Sequence, residues 1–136
     1  MAEQHTDFTM DKRSINSPDA PGASGGYAQA VETISAERIV YVSGQIPVST
    51  DGKVPESFRE QAELAWRNVE AQLRAADMGL ENIVKHTTFL SDRRYRQINS
   101  EVRREVLGDL EAALTVIITG IYDEAWLLEI EVVAAA

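Results

Sequence analysis

The stretch WLLEIEVV, Trp126–Val133, decides the fold because apolar and charged residues alternate along it. In a β-strand, successive side chains point to opposite faces of the sheet. One set of alternate residues is apolar and would face a core: Leu128, Ile130 and Val132. Glu129 and Glu131 would share the other face. A carboxylate is rarely buried without a partner, so that face is predicted to be a solvated surface, an ion-paired surface or the edge of a cleft.

Two segments before this strand show helical spacing. In Pro55–Met78 the apolar residues recur at intervals of three and four: Phe58, Ala62, Ala65, Trp66, Val69, Leu73 and Ala76. This pattern predicts one long helix, with Gly79 as its C-cap. A second helix is predicted to start with Ser91 or Asp92 as its N-cap and to run to about Leu107, where Gly108 ends it.

The remaining ordered segments have strand composition, rich in β-branched and aromatic residues. They are Tyr27–Ile34, Glu37–Pro47, Asn82–Leu90 and Leu114–Thr119. The last lies within LEAALTVIITG, Leu110–Gly120, which has no ionisable side chain after Glu111. This composition predicts a strand buried in the core.

The resulting order is β-β-α-β-α-β-β, which predicts an α+β fold with a single sheet and two helices packed on one face. Such a layer leaves the other sheet face uncovered, and we expect that face to meet another subunit. The length fits one domain, predicted over residues 15–136, with residues 1–14 forming a flexible polar tail.

Composition narrows the classes of function. The formal net charge is −9, which disfavours binding to a phosphate backbone. The absence of cysteine excludes disulfides, thiolate nucleophiles and Cys-type zinc sites. No apolar run is long enough to span a bilayer, and the N-terminus lacks the apolar region of a signal peptide. We therefore expect a cytoplasmic protein that handles small molecules and binds neither nucleic acid nor membrane.

Few other residues indicate chemistry by themselves. His86 lies within a predicted strand, and no second ligand falls at metal spacing, so a core histidine is the favoured interpretation and no metal site is predicted. Ser43 lacks the frame of a nucleophile elbow. The basic segment Asp92–Arg96 is interpreted as a solvated helix start. With Arg103 and Arg104 it could instead form an anion patch or a subunit contact.

Five segments, in order, resemble the Rid (YjgF) family. They are INSPDAPGASGGYAQAV (Ile15–Val31), VYVSGQIP (Val40–Pro47), NIVKHTTFLSD (Asn82–Asp92), INSEV (Ile98–Val102) and LEIEVVA (Leu128–Ala134). The resemblance implies a chorismate-mutase-like fold, a homotrimer with clefts between subunits, and no metal or organic cofactor. It also implies hydrolysis of reactive enamines and imines to 2-keto acids and ammonia.

The resemblance also implies roles for individual residues. Tyr27 matches the family's cleft tyrosine, Ser43 and Gly44 match its serine-glycine pair, and Asn99 matches the asparagine of its second helix. Glu129 matches the glutamate thought to position or activate water. Glu129 is therefore the predicted catalytic residue, and the other four are predicted to bind substrate.

One match fails. Deaminating members of the family carry an arginine just before the penultimate strand, whose guanidinium grips the substrate carboxylate. The corresponding position here is Ala113 or Leu114, and both are apolar. Because they take the place of the substrate-gripping arginine, these two residues are also predicted to line the substrate-binding site. The sequence thus predicts weak or absent activity on 2-iminobutanoate. A distant arginine could substitute, and nothing in the sequence places one in the cleft; the candidates after Leu90 are Arg93, Arg94, Arg96, Arg103 and Arg104.

Three functions remain to be compared. The first is a cofactor-independent hydrolase or deaminase acting on an enamine- or imine-like metabolite other than 2-iminobutanoate. The second is a non-catalytic trimer that binds a metabolite or regulates another protein. The third, a ribonuclease, is disfavoured by the net charge of −9 and by the lack of a credible histidine pair.

Overall fold

The computed structural model describes residues 10–136. Six strands are present there: β1 (Asp11–Ile15), β2 (Ala30–Ile34), β3 (Ile39–Gln45), β4 (Ile83–Leu90), β5 (Ala113–Ile118) and β6 (Leu128–Ala135). Two α-helices, α1 (Phe58–Ala75) and α2 (Arg96–Leu107), connect β3 to β4 and β4 to β5. Short 3-10 turns at Leu80–Asn82 and Arg93–Tyr95 precede β4 and α2.

The principal sheet has four strands in the order β3-β6-β4-β5. Strand β6 is central and antiparallel to both β3 and β4, whereas β4 and β5 are parallel. The parallel pairing follows from α2, because parallel neighbours need a long crossover connection. Helix α1 packs on β6 and β3 and against α2, so the predicted α+β fold with two helices on a sheet is confirmed.

The N-terminal region differs from the prediction. Residues 1–9 of the predicted tail lie outside the described residues, but Asp11–Ile15 is strand β1. It pairs antiparallel with β2 in a separate two-stranded sheet. The prediction of a single sheet is wrong to this extent. A polar strand exposed on both faces has no apolar alternation to reveal it, and only its pairing with β2 defines it.

The end of α1 also differs from the prediction. The helix ends with Ala76 as its cap, and Asp77, at φ 57°, has the left-handed backbone conformation. The amide N–H of Asp77 donates to the carbonyl of Arg74 (3.0 Å), and that of Met78 donates to the carbonyl of Leu73 (2.8 Å). These two bonds form a Schellman motif, in which Asp77 occupies the position usually held by glycine. The predicted cap, Gly79, instead begins the turn before β4.

The predicted C-terminal end of α2 is present, but the predicted N-cap is not. Asp92 caps the short 3-10 turn Arg93–Tyr95, where its side chain accepts a hydrogen bond from the Arg94 amide (2.9 Å). Helix α2 itself begins after Tyr95, which makes no side-chain capping bond. Gly108 ends the helix at φ 59°, a conformation that disfavours residues with a Cβ.

The core lies between the helices and one face of the sheet. The apolar positions predicted in the last strand, Leu128, Ile130 and Val132, are buried, while Glu131 is exposed. The prediction that Leu110–Gly120 is wholly buried is wrong in part. Strand β5 lies at an edge of the sheet, and Val116 and Ile117 remain 37% and 41% exposed. Hydrophobic composition cannot distinguish an edge strand from a central one.

Candidate functional site

A β-bulge in β3 organises the first part of the site. Val42 pairs with Val132 and Gln45 pairs with Ile130, so three steps along β3 oppose two steps along β6. The extra residue falls in the Ser43–Gly44 segment. Such bulges re-aim side chains and are frequent beside active sites.

Glu129 lies directly over this bulge. A Cβ atom at Gly44 would overlap the Glu129 carboxylate, so the close approach of the two residues requires glycine there. Glu129 is half-buried on the uncovered sheet face, in register with Phe89, which is in turn in register with Ile117. Within residues 10–136 its carboxylate has no hydrogen bond and no ion pair, which leaves it free to act on a ligand.

Substituting Gly44 tests this contact. We expect Gly44→Ala to displace the Glu129 carboxylate and to lower the turnover of any reaction that depends on this carboxylate. The melting temperature should change little, because a flexible side chain moves rather than the core. Gly120→Ala is the matched control, since a Cβ at Gly120 meets nothing within 4 Å. Equal turnover in the two variants would contradict the proposed contact.

The second part of the site lies near the start of β5. Backbone bonds hold the segment after Gly26 against this strand, because the Ala28 amide donates to the Ala112 carbonyl (3.0 Å) and Ala28 bridges Ala113. The Tyr27 hydroxyl accepts a hydrogen bond from the Ser24 amide (3.4 Å). This hydrogen bonding is the main cause that lowers the pKa of Tyr27, with a smaller contribution from the Arg103 cation.

Asn99 and Arg103 lie one helical turn apart on the buried side of α2. Arg103 is only 6% exposed, and its Nη2 is 3.6 Å from the position that a Cβ of Gly26 would take. The sequence offered Arg103 only as one of five arginines after Leu90 that could replace the missing cation, and it did not place any of them in the cleft. The available signal was the helical spacing of Arg103 from Asn99, which places both residues on one side of α2.

The two apolar residues at the place of the expected arginine face opposite sides of the sheet. Leu114 is in register with His86, which is in register with Val132, so all three belong to the face that the helices cover. Ala113 is in register with Lys85 and belongs to the uncovered face. Leu114 therefore shares its face with His86. Burial, and then the charge of Arg103, lowers the pKa of His86, so Arg103 lies on this side of the sheet as well.

The predicted site residues thus form two groups. Ser43, Gly44 and Glu129 lie together at the bulge, and Tyr27 and Asn99 lie near the Arg103 side of the molecule. Strand β4 separates β5 from β6, which places these strands roughly 10 Å apart. Leu114 faces the opposite side of the sheet from Glu129, whereas Ala113 shares the face of Glu129. The two groups therefore lie at separate places on one chain.

His86 is a core residue, as the favoured interpretation held. It is 1% exposed, and its ring packs edge-on against Trp66 with centroids 5.5 Å apart. Burial, followed by the charges of Arg103 and Lys85, lowers the pKa of His86 from 6.5 to about 4. Within residues 10–136, no three side chains of the His, Cys, Asp or Glu type are arranged to hold a metal ion.

The buried imidazole predicts a pH dependence of stability. Because the folded-state pKa of His86 is depressed, the unfolded chain binds the extra proton first as the pH falls below about 6.5. We expect roughly 2 kcal/mol of unfolding free energy to be lost between pH 7 and pH 5, measured by denaturant titration. In His86→Gln this contribution should vanish, and an equal loss in both proteins would refute the assignment.

The fold and site define an α+β protein that holds a free carboxylate on the uncovered face of its sheet. Residues 17–136 match the protein-family model described as Endoribonuclease L-PSP. The chain is 32% identical over 122 residues to a RutC family protein of Aquifex aeolicus, covering 88% of this chain and 94% of that protein. The chain therefore belongs to the Rid (YjgF) family, as its sequence motifs predicted.

Two further comparisons concern a relative in Escherichia coli. The protein of strain K12 named "Putative reactive intermediate deaminase TdcF" is 35% identical over 102 residues, covering 74% of this chain and 77% of that protein. A crystal structure of E. coli TdcF with bound serine superposes with a TM-score of 0.70 at 29% identity, covering 91% of this chain and 98% of that one.

Membrane insertion of a helix finds no support in the described residues. Neither α-helix within residues 10–136 combines the length and the apolar character that a bilayer-spanning segment requires.

Proposed function

We propose that this protein hydrolyses an enamine- or imine-like metabolite other than 2-iminobutanoate, in clefts between the subunits of a homotrimer. The unpaired Glu129 carboxylate above Gly44 is the observation that carries this proposal, because a carboxylate with no ion pair or hydrogen bond among the described residues is available to accept a proton from water. The E. coli relative named as a reactive intermediate deaminase supports the same class of chemistry.

Assembly into a homotrimer is supported by the uncovered sheet face. Its apolar residues include Tyr41 and Ile39, which are 76% and 53% exposed. A groove of about 330 Å³ runs between Tyr41, Lys85 and Glu131 on this face. An exposed patch of this kind is typical of an interaction surface. A second copy would cover it and would complete the site, whose two groups of residues one chain keeps apart.

The assembly has a direct test. We expect native mass spectrometry to give three times the 15.0 kDa chain mass, and Tyr41→Glu to shift the population toward monomer because it places a charge in the interface. Tyr122→Glu, at a residue that is 93% exposed and lies outside the sheet, is the matched control. A monomeric wild type would remove the inter-subunit cleft from the proposal.

The chemistry follows from the position of Glu129. The carboxylate would accept a proton from water as the water oxygen attacks the C=N carbon of the protonated imine, forming a neutral carbinolamine. Glu129 then returns this proton to nitrogen, and the C–N bond breaks as the carbinol hydroxyl gives its proton back to Glu129 and becomes the keto oxygen. The departing ammonia takes up that proton, so the net reaction converts the protonated imine and one water to the 2-keto acid and ammonium. Ser43 and Asn99 would supply polar contacts to the substrate, and Tyr27 would shape the cleft.

The identity of residues 113 and 114 limits the substrate. Neither Ala113 nor Leu114 can bind a carboxylate, so a small imine such as 2-iminobutanoate has few contacts to hold it. A substrate with a larger side chain gains affinity from apolar contact. RNA is not part of the proposal despite the family description, because a net charge of −9 opposes binding to a phosphate backbone.

The test is an ammonia-release assay on imines generated in place by an amino-acid oxidase. The panel compares 2-aminoacrylate and 2-iminobutanoate with the larger imines derived from leucine and phenylalanine. We expect acceleration over spontaneous hydrolysis for the larger imines and little for 2-iminobutanoate. Rapid turnover of 2-iminobutanoate would refute the substrate limit, and no acceleration of any imine would refute hydrolysis. The proposal places the protein in the cytoplasm, with which its cysteine-free composition is compatible.

A further inference from the structure

The buried polar atoms without a partner all lie in one part of the protein. Among residues 10–136, the buried side-chain nitrogen and oxygen atoms that lack a hydrogen bond belong to Trp66, His86 and Arg103. Trp66 packs edge-on against His86, and the charge of Arg103 acts on the His86 ring. Native proteins leave few buried polar groups unsatisfied, so three in one cluster indicate that a partner is missing.

The chemistry of the cluster indicates what kind of partner is missing. Trp66 Nε1 and Arg103 Nε are donors only, and a neutral His86 adds one donor and one acceptor. The unmet need is therefore mainly for acceptor atoms. Because Arg103 also carries a full positive charge, an anionic acceptor satisfies the cluster better than a neutral one.

The chain supplies no such anion to Arg103. Within the described residues no carboxylate lies within 4.0 Å of its guanidinium, and its side chain makes one long hydrogen bond, from Nη2 to Ser100 Oγ at 3.3 Å. The exposed Arg59, in contrast, forms ion pairs with three carboxylates: Glu63, Glu101 and Glu105. Among the described residues, a surface arginine is therefore ion-paired while the buried Arg103 is not, and an unpaired buried charge is costly for stability.

The segment beside Arg103 allows close approach. Gly25 and Gly26 have φ angles of 112° and 75°, and the missing Cβ of Gly26 would lie 3.6 Å from Arg103 Nη2. A cavity of about 260 Å³ opens beside these glycines on the side of Arg104, Asp109 and Glu111, and Arg103 is not one of its lining residues. Tyr27 follows directly, so the guanidinium lies next to one of the two groups of site residues.

We propose that Arg103 binds the carboxylate of the ligand, so that helix α2 supplies the cation that β5 lacks. This inference rests on the proposed function and names its substrate class: an imino or enamino acid, with a free carboxylate, whose remaining atoms extend toward Glu129 of a neighbouring copy. Because the cation comes from α2 rather than from position 113 or 114, the carboxylate is held at a different place, which favours a larger acid over 2-iminobutanoate.

Binding of stable probes to the full-length protein tests the assignment. The probes are 4-methyl-2-oxopentanoate, which carries a carboxylate, and 4-methyl-2-pentanone, which lacks it. We expect the acid to bind, to shift the NMR signal of the Arg103 Nε–H group, and to bind more tightly than the ketone. Arg103→Lys should weaken acid binding by about tenfold or more, because lysine keeps the charge but loses the planar fork.

Two further variants separate binding from folding. Arg96→Lys, an exposed residue of the same helix, should bind the acid as the wild type does. Arg103→Leu should lose binding while remaining at least as resistant to denaturant as the wild type, because an unpaired buried charge is removed. A purely structural arginine would instead lower stability on substitution and leave the affinity of the remaining folded protein unchanged.

The outcomes distinguish this proposal from the proposed hydrolysis. Equal affinity for acid and ketone, unchanged affinity in Arg103→Lys, or no binding of the acid would overturn the role of Arg103. If Arg103 binds the acid but no imine is hydrolysed, the carboxylate site stands and the hydrolytic function fails. If larger imines are hydrolysed with the same KM in Arg103→Lys, the hydrolytic function stands and the role of Arg103 fails.

Discussion

Glu129→Gln is expected to lower kcat for imine hydrolysis by roughly 10²–10⁴-fold, the usual contribution of a general base. The substitution keeps the size of the side chain and its place over Gly44, so the fold and KM should change little. It removes the one property that the mechanism requires, which is the ability of the carboxylate to take a proton from water. The measurement is the rate of ammonia release from the best imine of the panel.

Glu131→Gln is the control for this variant. Glu131 lies on the same strand and the same sheet face, but it is exposed and lies opposite Thr87 rather than over the bulge. Both variants remove one negative charge, so a general electrostatic effect would appear in both. Similar rates for the two variants, or an unchanged rate in Glu129→Gln, would exclude Glu129 as the base.

Gln61→Leu is expected to lower the free energy of unfolding by roughly 2–4 kcal/mol, because it removes three part-buried hydrogen bonds to the backbone. Gln61 is 2% exposed within α1. Its Nε2 donates to the carbonyls of Pro55 (2.8 Å) and Ala125 (3.0 Å), and its Oε1 accepts from the Leu127 amide (2.8 Å). One side chain therefore ties the start of α1 to the segment that enters β6.

Denaturant titration at neutral pH provides the measurement, with Gln72→Leu as the control. Gln72 is exposed on the same helix, so Gln72→Leu makes the same chemical change without removing the three hydrogen bonds of Gln61. We expect the control to remain within about 0.5 kcal/mol of the wild type. Comparable stability of the two variants would show that solvent replaces the Gln61 bonds at little cost.

Regular local patterns were sufficient to predict most elements. The apolar stripe of α1 and the alternation along β6 depend on the geometry of one segment, and both appear in the structure. The Gly108 helix end depends on the backbone within a few residues. The strand β1, the exposure of β5 and the Asp77 helix end depend instead on what each segment packs against, and sequence patterns missed them.

The candidate site shows the same division. Motif order and strand alternation identified Glu129 as a carboxylate on the face away from the core. They did not reveal the role of Gly44, whose lack of a Cβ matters only because a bulge brings β6 over it. Nor did they distinguish the buried Arg103 from the exposed Arg104 beside it, since adjacent arginines look alike until the packing of α2 is known.

The sequence by itself determined the α+β class, the helix and strand periods, the family and the unusual apolar residues at positions 113 and 114. Tertiary structure alone decided which strands are neighbours, that the site residues fall into two groups, and that the buried Arg103 has no carboxylate partner among residues 10–136. The reason is physical: periodicity and caps arise from contacts within a few residues, whereas burial and charge pairing depend on segments far apart in the chain. The unpaired state of Arg103 is a property of that packing.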